Sequence, residues 1–244
     1  MDRLLDLTER AQATHFWFRG FRLFVTPALA AVAAGRRDLR ILDCGCGTGH
    51  NLELLRPYGR GIGFDLASAG LELARARVGP LARADVTHVP FASGSFDLVT
   101  CFDVVQCVPQ DHEAVREMAR VTRRGGSVVL TMAALDMVRG DHAAVWGEVR
   151  RYTRASARQL LEQAGLRVER VTFHFAATLP LMLAVRVAQR WLRPYRGLRD
   201  DTDITVPAAP INAALTIALR IEAAIASRVP MPVGSSLLVV ARKV

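Results

Sequence analysis

Lysine is almost absent: of the 32 Lys and Arg residues among 244, only Lys243 is a lysine. The arginines are scattered and form no basic stripe interleaved with aromatics, so the net charge of +9 does not draw a nucleic-acid footprint. That charge suits anionic partners such as lipid headgroups or phosphorylated molecules, and equally a genome that writes Arg for Lys. Cysteine is scarce too. Cys44, Cys46, Cys101 and Cys107 are too few for a secreted disulfide framework in a chain this long. Cys44-x-Cys46 has no second pair at finger spacing, so a zinc site is not expected and the thiols read as small apolar fillers. No uncharged run reaches 18 residues, and a membrane-spanning helix is not expected. Asp2, Arg3, Asp6, Glu9 and Arg10 break any apolar opening run, so no signal peptide is expected and the cytoplasm is the default. What the chain has in quantity is apolar side chains, 51%, enough for a sizeable core.

One stretch organises the rest. Ile41 and Leu42 end an apolar run, Asp43 follows, and Gly45, Gly47 and Gly49 occupy alternate positions before a helical pattern from His50. Strand, glycine loop, helix is the arrangement that lets backbone approach a ligand, at the strand end where open α/β sheets bind. Two familiar loops are missing. A dinucleotide loop needs its third glycine at position 50, where His50 stands, and a phosphate loop needs Lys followed by Ser or Thr after its last glycine. A second strand, 61–66, ends in Asp65, about twenty residues past the loop's start. An acid there accepts hydrogen bonds from both hydroxyls of a ribose.

The pattern Asp43-x-Gly45-x-Gly47-x-Gly49 resembles the first motif of class I S-adenosylmethionine-dependent methyltransferases, whose small cofactor is partly cationic. Pro90-Phe91 with Phe96-Asp97-x-Val99 is similar to the small-molecule (type 11-like) members. His15-Phe16-Trp17-Phe18-Arg19 and Arg150-Arg151-Tyr152-Thr153 are similar to a bacterial subgroup. The resemblance implies S-adenosyl-L-methionine as cofactor, held by Trp17, Arg19, Asp43, Gly45, Cys46, Gly47, Asp65, Leu66, Asp85, Val86, Phe102 and Asp103. In that reading Arg19 pairs the cofactor's carboxylate and Trp17 or Phe16 covers its methionine end. Asp85 faces the adenine amino group, the Val86 N–H meets the ring, and Phe102 and Asp103 line the methionine end. The family usually carries Glu-His where this chain has Gln106-Cys107, which leaves a base at that position in doubt. His142 is the expected catalytic base, with Tyr152 and His15 behind it.

Alternating strands and helices over 38–165 imply an α/β doubly wound, mostly parallel Rossmann-like sheet. Seven strands are expected: 39–43, 61–66, 81–86, 98–102, 127–132, 166–175 and 235–242, the last two an antiparallel hairpin at the sheet's edge. Three parts are expected: an N-terminal helical cap, 1–37; a cofactor-binding core, 38–175 with 233–244; and a helical insertion, 176–232. Helices are expected at 48–56, 67–77, 111–121 with Asp111 as N-cap, and 153–164 between Thr153 as N-cap and Gly165. The insertion carries helical segments 181–192 and 211–227, expected as an apolar lid over the substrate, a dimer surface or a peripheral membrane patch.

The function expected is methyl transfer to O, N or C of a small, largely apolar molecule by a monomer or homodimer. A nicotinamide-dependent oxidoreductase, disfavoured by His50, and a non-catalytic S-adenosylmethionine-binding protein acting through its basic insertion are the alternatives. Nucleic acid is not an expected substrate, since neither Asn-Pro-Pro-Tyr nor Pro-Cys occurs as a base-methylation motif.

Overall fold

A computed structural model describes residues 8–140, 143, 146–196 and 205–244. Helix α1 (Phe16–Ala33) precedes strand β1 (Leu39–Cys44). Helix α2 (His50–Leu55), β2 (Gly59–Asp65), α3 (Ser68–Arg75), β3 (Leu81–Arg83) and β4 (Phe96–Phe102) follow. Then come α4 (Asp111–Val121), β5 (Thr122–Ala133), α5 (Arg154–Gln163) and β6 (Leu166–His174). Helices α6 (Leu179–Arg196) and α7 (Ala209–Ala226) fill the insertion before β7 (Ser236–Lys243).

The seven strands form one sheet in the order β3-β2-β1-β4-β5-β7-β6. β1 pairs in parallel with β2 (Asp43 beside Gly63) and with β4 (Asp43 beside Thr100), so the order reverses at β1, where a switch-point crevice forms. β7 runs antiparallel to both β5 and β6 and lies between them. The expected hairpin is therefore present, but β6 alone is the edge and β7 is interior. That position explains why Leu237–Ala241 is apolar throughout: a strand buried on both faces has no solvent side to make polar.

Local signals act where the sequence puts them. Thr153 caps α5 in a reciprocal box with Ser156, and Gly165 ends it at φ +79°. Asp111 does not cap α4. It is the helix's first residue, and its carboxylate accepts the Tyr152 hydroxyl (2.8 Å) and Arg150 (2.7 Å). α1 and α7 are both long and apolar enough to cross a membrane by composition. In this fold they pack together instead, because Gly20 of α1 leaves room for Leu219; a Cβ there would sit 2.5 Å from its side chain.

Candidate active site

At the glycine loop, Gly45, Gly47 and Gly49 all adopt left-handed φ (+74°, +52°, +83°), which side chains on L-residues resist. The N–H groups of Gly45 and Cys46 both donate to the Phe64 carbonyl (2.8 and 2.9 Å), drawing the loop onto β2. A Cβ at Gly45 would strike Val104, whereas one at Gly47 would meet nothing within 4 Å. Gly47 thus borders open space.

Asp65, at the end of β2, accepts the Gly47 N–H (2.9 Å) and the Ala67 N–H (2.8 Å), one on each oxygen. Each oxygen keeps a further lone pair for a ligand hydroxyl. Next to it Leu66 is exposed, an unusual place for a large apolar side chain. Asp43 is fully buried. Thr100 donates to its Oδ1 (2.7 Å), while Oδ2 has no hydrogen-bond partner. Burial pushes this carboxyl up to about 7, and Asp65 nearby adds to the rise. A cationic ligand suits a buried carboxylate with a spare oxygen, and a loop of bare backbone suits a ligand that approaches closely. The residues present fit S-adenosylmethionine. Asp85 is exposed and its Oδ1 accepts both the N–H and hydroxyl of Thr87 (2.8 Å each), so one oxygen is committed to a local turn. Val86 and Cys46 are buried, and burial raises the Cys46 thiol well above its ordinary range.

Beyond β4 lies a cavity of about 460 Å³, within the range of small-molecule sites. His15, Phe16, Trp17 and Phe18 of the cap form one wall, and Leu181, Met182, Val185, Ile211 and Leu215 of the insertion another. Asp103, Gln106, Cys107, Trp146, Glu148, Arg151 and Arg186 add polar groups. Asp103 follows the last residue of β4 with φ +57°. Leu135, just past β5, and Phe175, just past β6, are also left-handed (+60° and +63°). Strained backbone of this kind gathers where function demands it. Asp103 is open to the cavity, yet the surrounding protein dehydrates its carboxyl and pushes it up to about 6.

Glu148 and Arg151, both buried, form a bidentate pair (2.6 and 3.1 Å), and Arg151 also donates to the Ala134 carbonyl (3.1 Å). Buried Arg186 donates to the Val138 carbonyl (3.1 Å) and packs on Gly140. Two lining atoms, Gln106 Oε1 and Ser235 Oγ, are buried without a hydrogen-bond partner. Trp17 stacks on Phe175 (3.8 Å between centroids, 11°) with its flank to the cavity. His15 lines the cavity and caps α1, its Nδ1 accepting the Trp17 N–H (3.1 Å).

Two expected site residues fall elsewhere. Arg19 is exposed and is not among the cavity-lining residues. Tyr152 is buried off the cavity, its hydroxyl bound to Asp111. Burial and that carboxylate raise the phenol further, the wrong direction for a base. His142 lies outside the described residues. His50 points away from the loop's ligand face, toward Glu9 (3.6 Å) and Arg77, and so ties the segment before α1 to α2. Sequence reasoning did not single out Gln106, Ser235 or Arg186 as site residues. Gln106 had one signal, its place where relatives of the resembled family carry an acid.

Comparison with known proteins agrees with this geometry. Residues 42–130 match the family described as a methyltransferase domain. They include the glycine loop, Asp65, Asp85 and Asp103. Residues 42–130 form a class I S-adenosylmethionine-dependent methyltransferase domain. The Legionella pneumophila malonyl-[acyl-carrier protein] O-methyltransferase is 36% identical over 121 residues, 46% of this chain and 42% of that protein. A Renibacterium salmoninarum demethylmenaquinone methyltransferase is 34% identical over 119 residues, 46% of this chain and 47% of the relative. The chain therefore spans less than half the length of these two relatives. A solved Bacillus halodurans structure described as a putative methyltransferase superposes with TM-score 0.59 at 22% identity, covering 89% of this chain and 98% of that one. That likeness shows the fold.

Proposed function

We propose that this protein transfers a methyl group from S-adenosylmethionine to a small, largely apolar acceptor held between the cap and the insertion. The observation that carries the reading is the cavity itself. It begins at Asp103, beyond the strand next to the glycine loop, where Asp103, Gln106 and Cys107 belong to the matched domain, and its apolar walls come from segments outside it. When bound, the cofactor supplies a methyl already activated on a sulfonium, so the chain's task is chiefly orientation, which can supply about 7–11 kcal/mol of a barrier.

The glycine loop, Asp43 and Asp65 are the groups to bind and orient the cofactor. Leu66 offers it an apolar surface. Trp17, Phe16, Leu181, Val185 and Leu215 exclude water and favour apolar bulk. Gln106 Oε1 and Ser235 Oγ each lack a partner and are the hydrogen-bonding points for an acceptor's polar group. Where the accepting atom must lose a proton, Asp103 is the group to take it. Its carboxylate form prevails above about pH 6, and a base works best with its pKa near the operating pH.

The test is incubation with methyl-labelled S-adenosylmethionine and panels of apolar hydroxy, amino and quinol compounds. Leu215→Trp, which fills the cavity, serves as control. Label should reach acceptors that fit, and Leu215→Trp should lose transfer while keeping cofactor affinity. Transfer unaffected by Leu215→Trp would place the acceptor elsewhere.

A further inference from the structure

Helix α7 is apolar on both sides. Its core-facing side mixes Leu219, Ala223 and Ala226 with Asn212, Thr216 and Glu222, all buried. The Asn212 side chain accepts the Phe16 N–H and donates to the Thr14 carbonyl (2.8 Å each), and Thr216 donates to the Asn212 carbonyl (2.7 Å). Glu222 accepts the N–H groups of Ala176 (2.9 Å) and Ala177 (2.7 Å), clamping the start of the insertion. The opposite face is apolar. Ile217, Ile221 and Ile225, one turn apart, are 57%, 60% and 50% exposed, with Ala213, Ala214 and Ala224 around them. A surface helix normally presents polar side chains there. The exposed charge here has one sign: Arg220 on α7 and Arg228 in the turn after it are exposed, while Glu222, the only acid in α7, points inward.

The other insertion helix continues the theme. α6 exposes Val187 and, at 79%, Trp191. Of the five arginines from 186 to 199 Arg186 is buried, and Asp200, Asp201 and Asp203 follow them in sequence. An apolar stripe flanked by cations and an exposed tryptophan is the composition of a helix that lies in a lipid interface.

We propose that this outer face of the insertion seats on an anionic lipid surface. Ile217, Ile221 and Ile225 enter the acyl boundary, and Arg220 and Arg228 meet the phosphates. The clamps through Asn212 and Glu222 hold α7 flat against the core, so it lies on the bilayer and does not cross it. A second copy of the chain fits less well, since a two-fold interface centred on the stripe would bring Arg220 and Arg228 toward the same charges of the other copy. The cavity shares these helices, because Ile211 and Leu215 line it from α7. A seated protein would hold its cavity beside the lipid, but the proposal does not depend on any activity.

The test is co-sedimentation of the full chain with vesicles of phosphatidylglycerol and phosphatidylcholine, and with phosphatidylcholine alone, at low and high salt. Light scattering runs in parallel. Binding should require the anionic lipid and weaken with salt. It should fall by about tenfold or more in Ile217→Ser/Ile221→Ser/Ile225→Ser and again in Arg220→Glu/Arg228→Glu. These positions are exposed, and unchanged thermal melting would confirm that each variant is folded. Protein left in solution with anionic vesicles would overturn the proposal, as would equal binding to both vesicle kinds or full binding by the serine variant. A dimer that the serine variant splits would assign the face to a second copy instead.

Discussion

The glycine loop holds its shape with backbone, whereas the cap and insertion hold theirs with side chains. In the loop, Gly45, Cys46 and Gly47 donate main-chain N–H groups to Phe64 and Asp65, and Gly47 has no neighbour to crowd. In the cap and insertion, the fixing contacts are Glu222 on Ala176 and Ala177, Asn212 on residues 14 and 16, Trp17 on Phe175, and Leu219 against Gly20. A site made of backbone fixes the ligand it can accept. A wall made of side chains can be re-cut for another acceptor while its neighbour stays the same. The matched domain, residues 42–130, contains the loop and leaves out both the cap and the insertion.

That contrast can be broken from either side. The largest effect is expected from Gly47→Val. A β-branched side chain both resists φ +52° and fills the open space, so cofactor binding should vanish while α-helical ellipticity stays near that of the parent chain. Detectable binding by calorimetry would mean the loop is not the cofactor's cradle.

Asp103→Asn should come next. For an acceptor that loses a proton, the general-base contribution is about 10²–10⁴-fold in rate. The parent's rate should rise through about pH 6 as Asp103 ionises, and the variant should lack that limb. An unchanged profile would remove Asp103 from the proton's path.

Glu222→Ala acts on the other side. Two N–H groups, on half-buried Ala176 and exposed Ala177, lose a charged acceptor, at about 0.5–1.5 kcal/mol for each since water can replace it in part. Thermal unfolding should show a lower midpoint, while affinity at the distant loop is retained. Loss of cofactor affinity in step with stability would mean that the two regions are one unit.

The smallest effect is on pH dependence. The Asp43 carboxyl is raised to about 7 in the fold, so between roughly pH 4 and 7 the folded chain holds a proton that the unfolded chain has released. Stability contributed by this group is full below the unfolded value and is lost as pH rises toward 7. Asp43→Asn should flatten the fall seen in denaturant titrations across that window. An equal slope in both proteins would show that Asp43 is ionised in the folded state.

Much of the backbone half was legible because each cue there is local. Glycine at 45, 47 and 49 is what three left-handed positions require, and Thr153 and Gly165 mark α5 for equally local reasons. The side-chain half was less so. The run Ile211, Leu215, Ala218, Ile221, Ile225 has helical spacing, but it splits: Ile211 and Leu215 line the cavity, while Ile221 and Ile225 face out and Asn212, Thr216 and Glu222 turn inward. Thr216 bonds back to its own helix, and no periodicity announces the partners of Asn212 and Glu222, which lie at residues 14 and 16 and just after β6. The Glu148–Arg151 pair, the interior place of β7 and the left-handed Asp103 depend likewise on contacts between distant segments. Tyr152 looked available as a base only until Asp111, 41 positions earlier, was seen to hold its hydroxyl.

The central claim is that the loop, Asp43 and Asp65 bind S-adenosylmethionine. Calorimetric titration of the chain and of Asp65→Ala, with S-adenosylmethionine and separately with a reduced nicotinamide dinucleotide, tests it most directly. The account predicts one saturable site for S-adenosylmethionine, none for the dinucleotide, and at least about tenfold weaker binding in Asp65→Ala, as a hydrogen bond to a charged group contributes about 1.5–3 kcal/mol. Equal affinity in the two proteins, or binding of the dinucleotide alone, would contradict it.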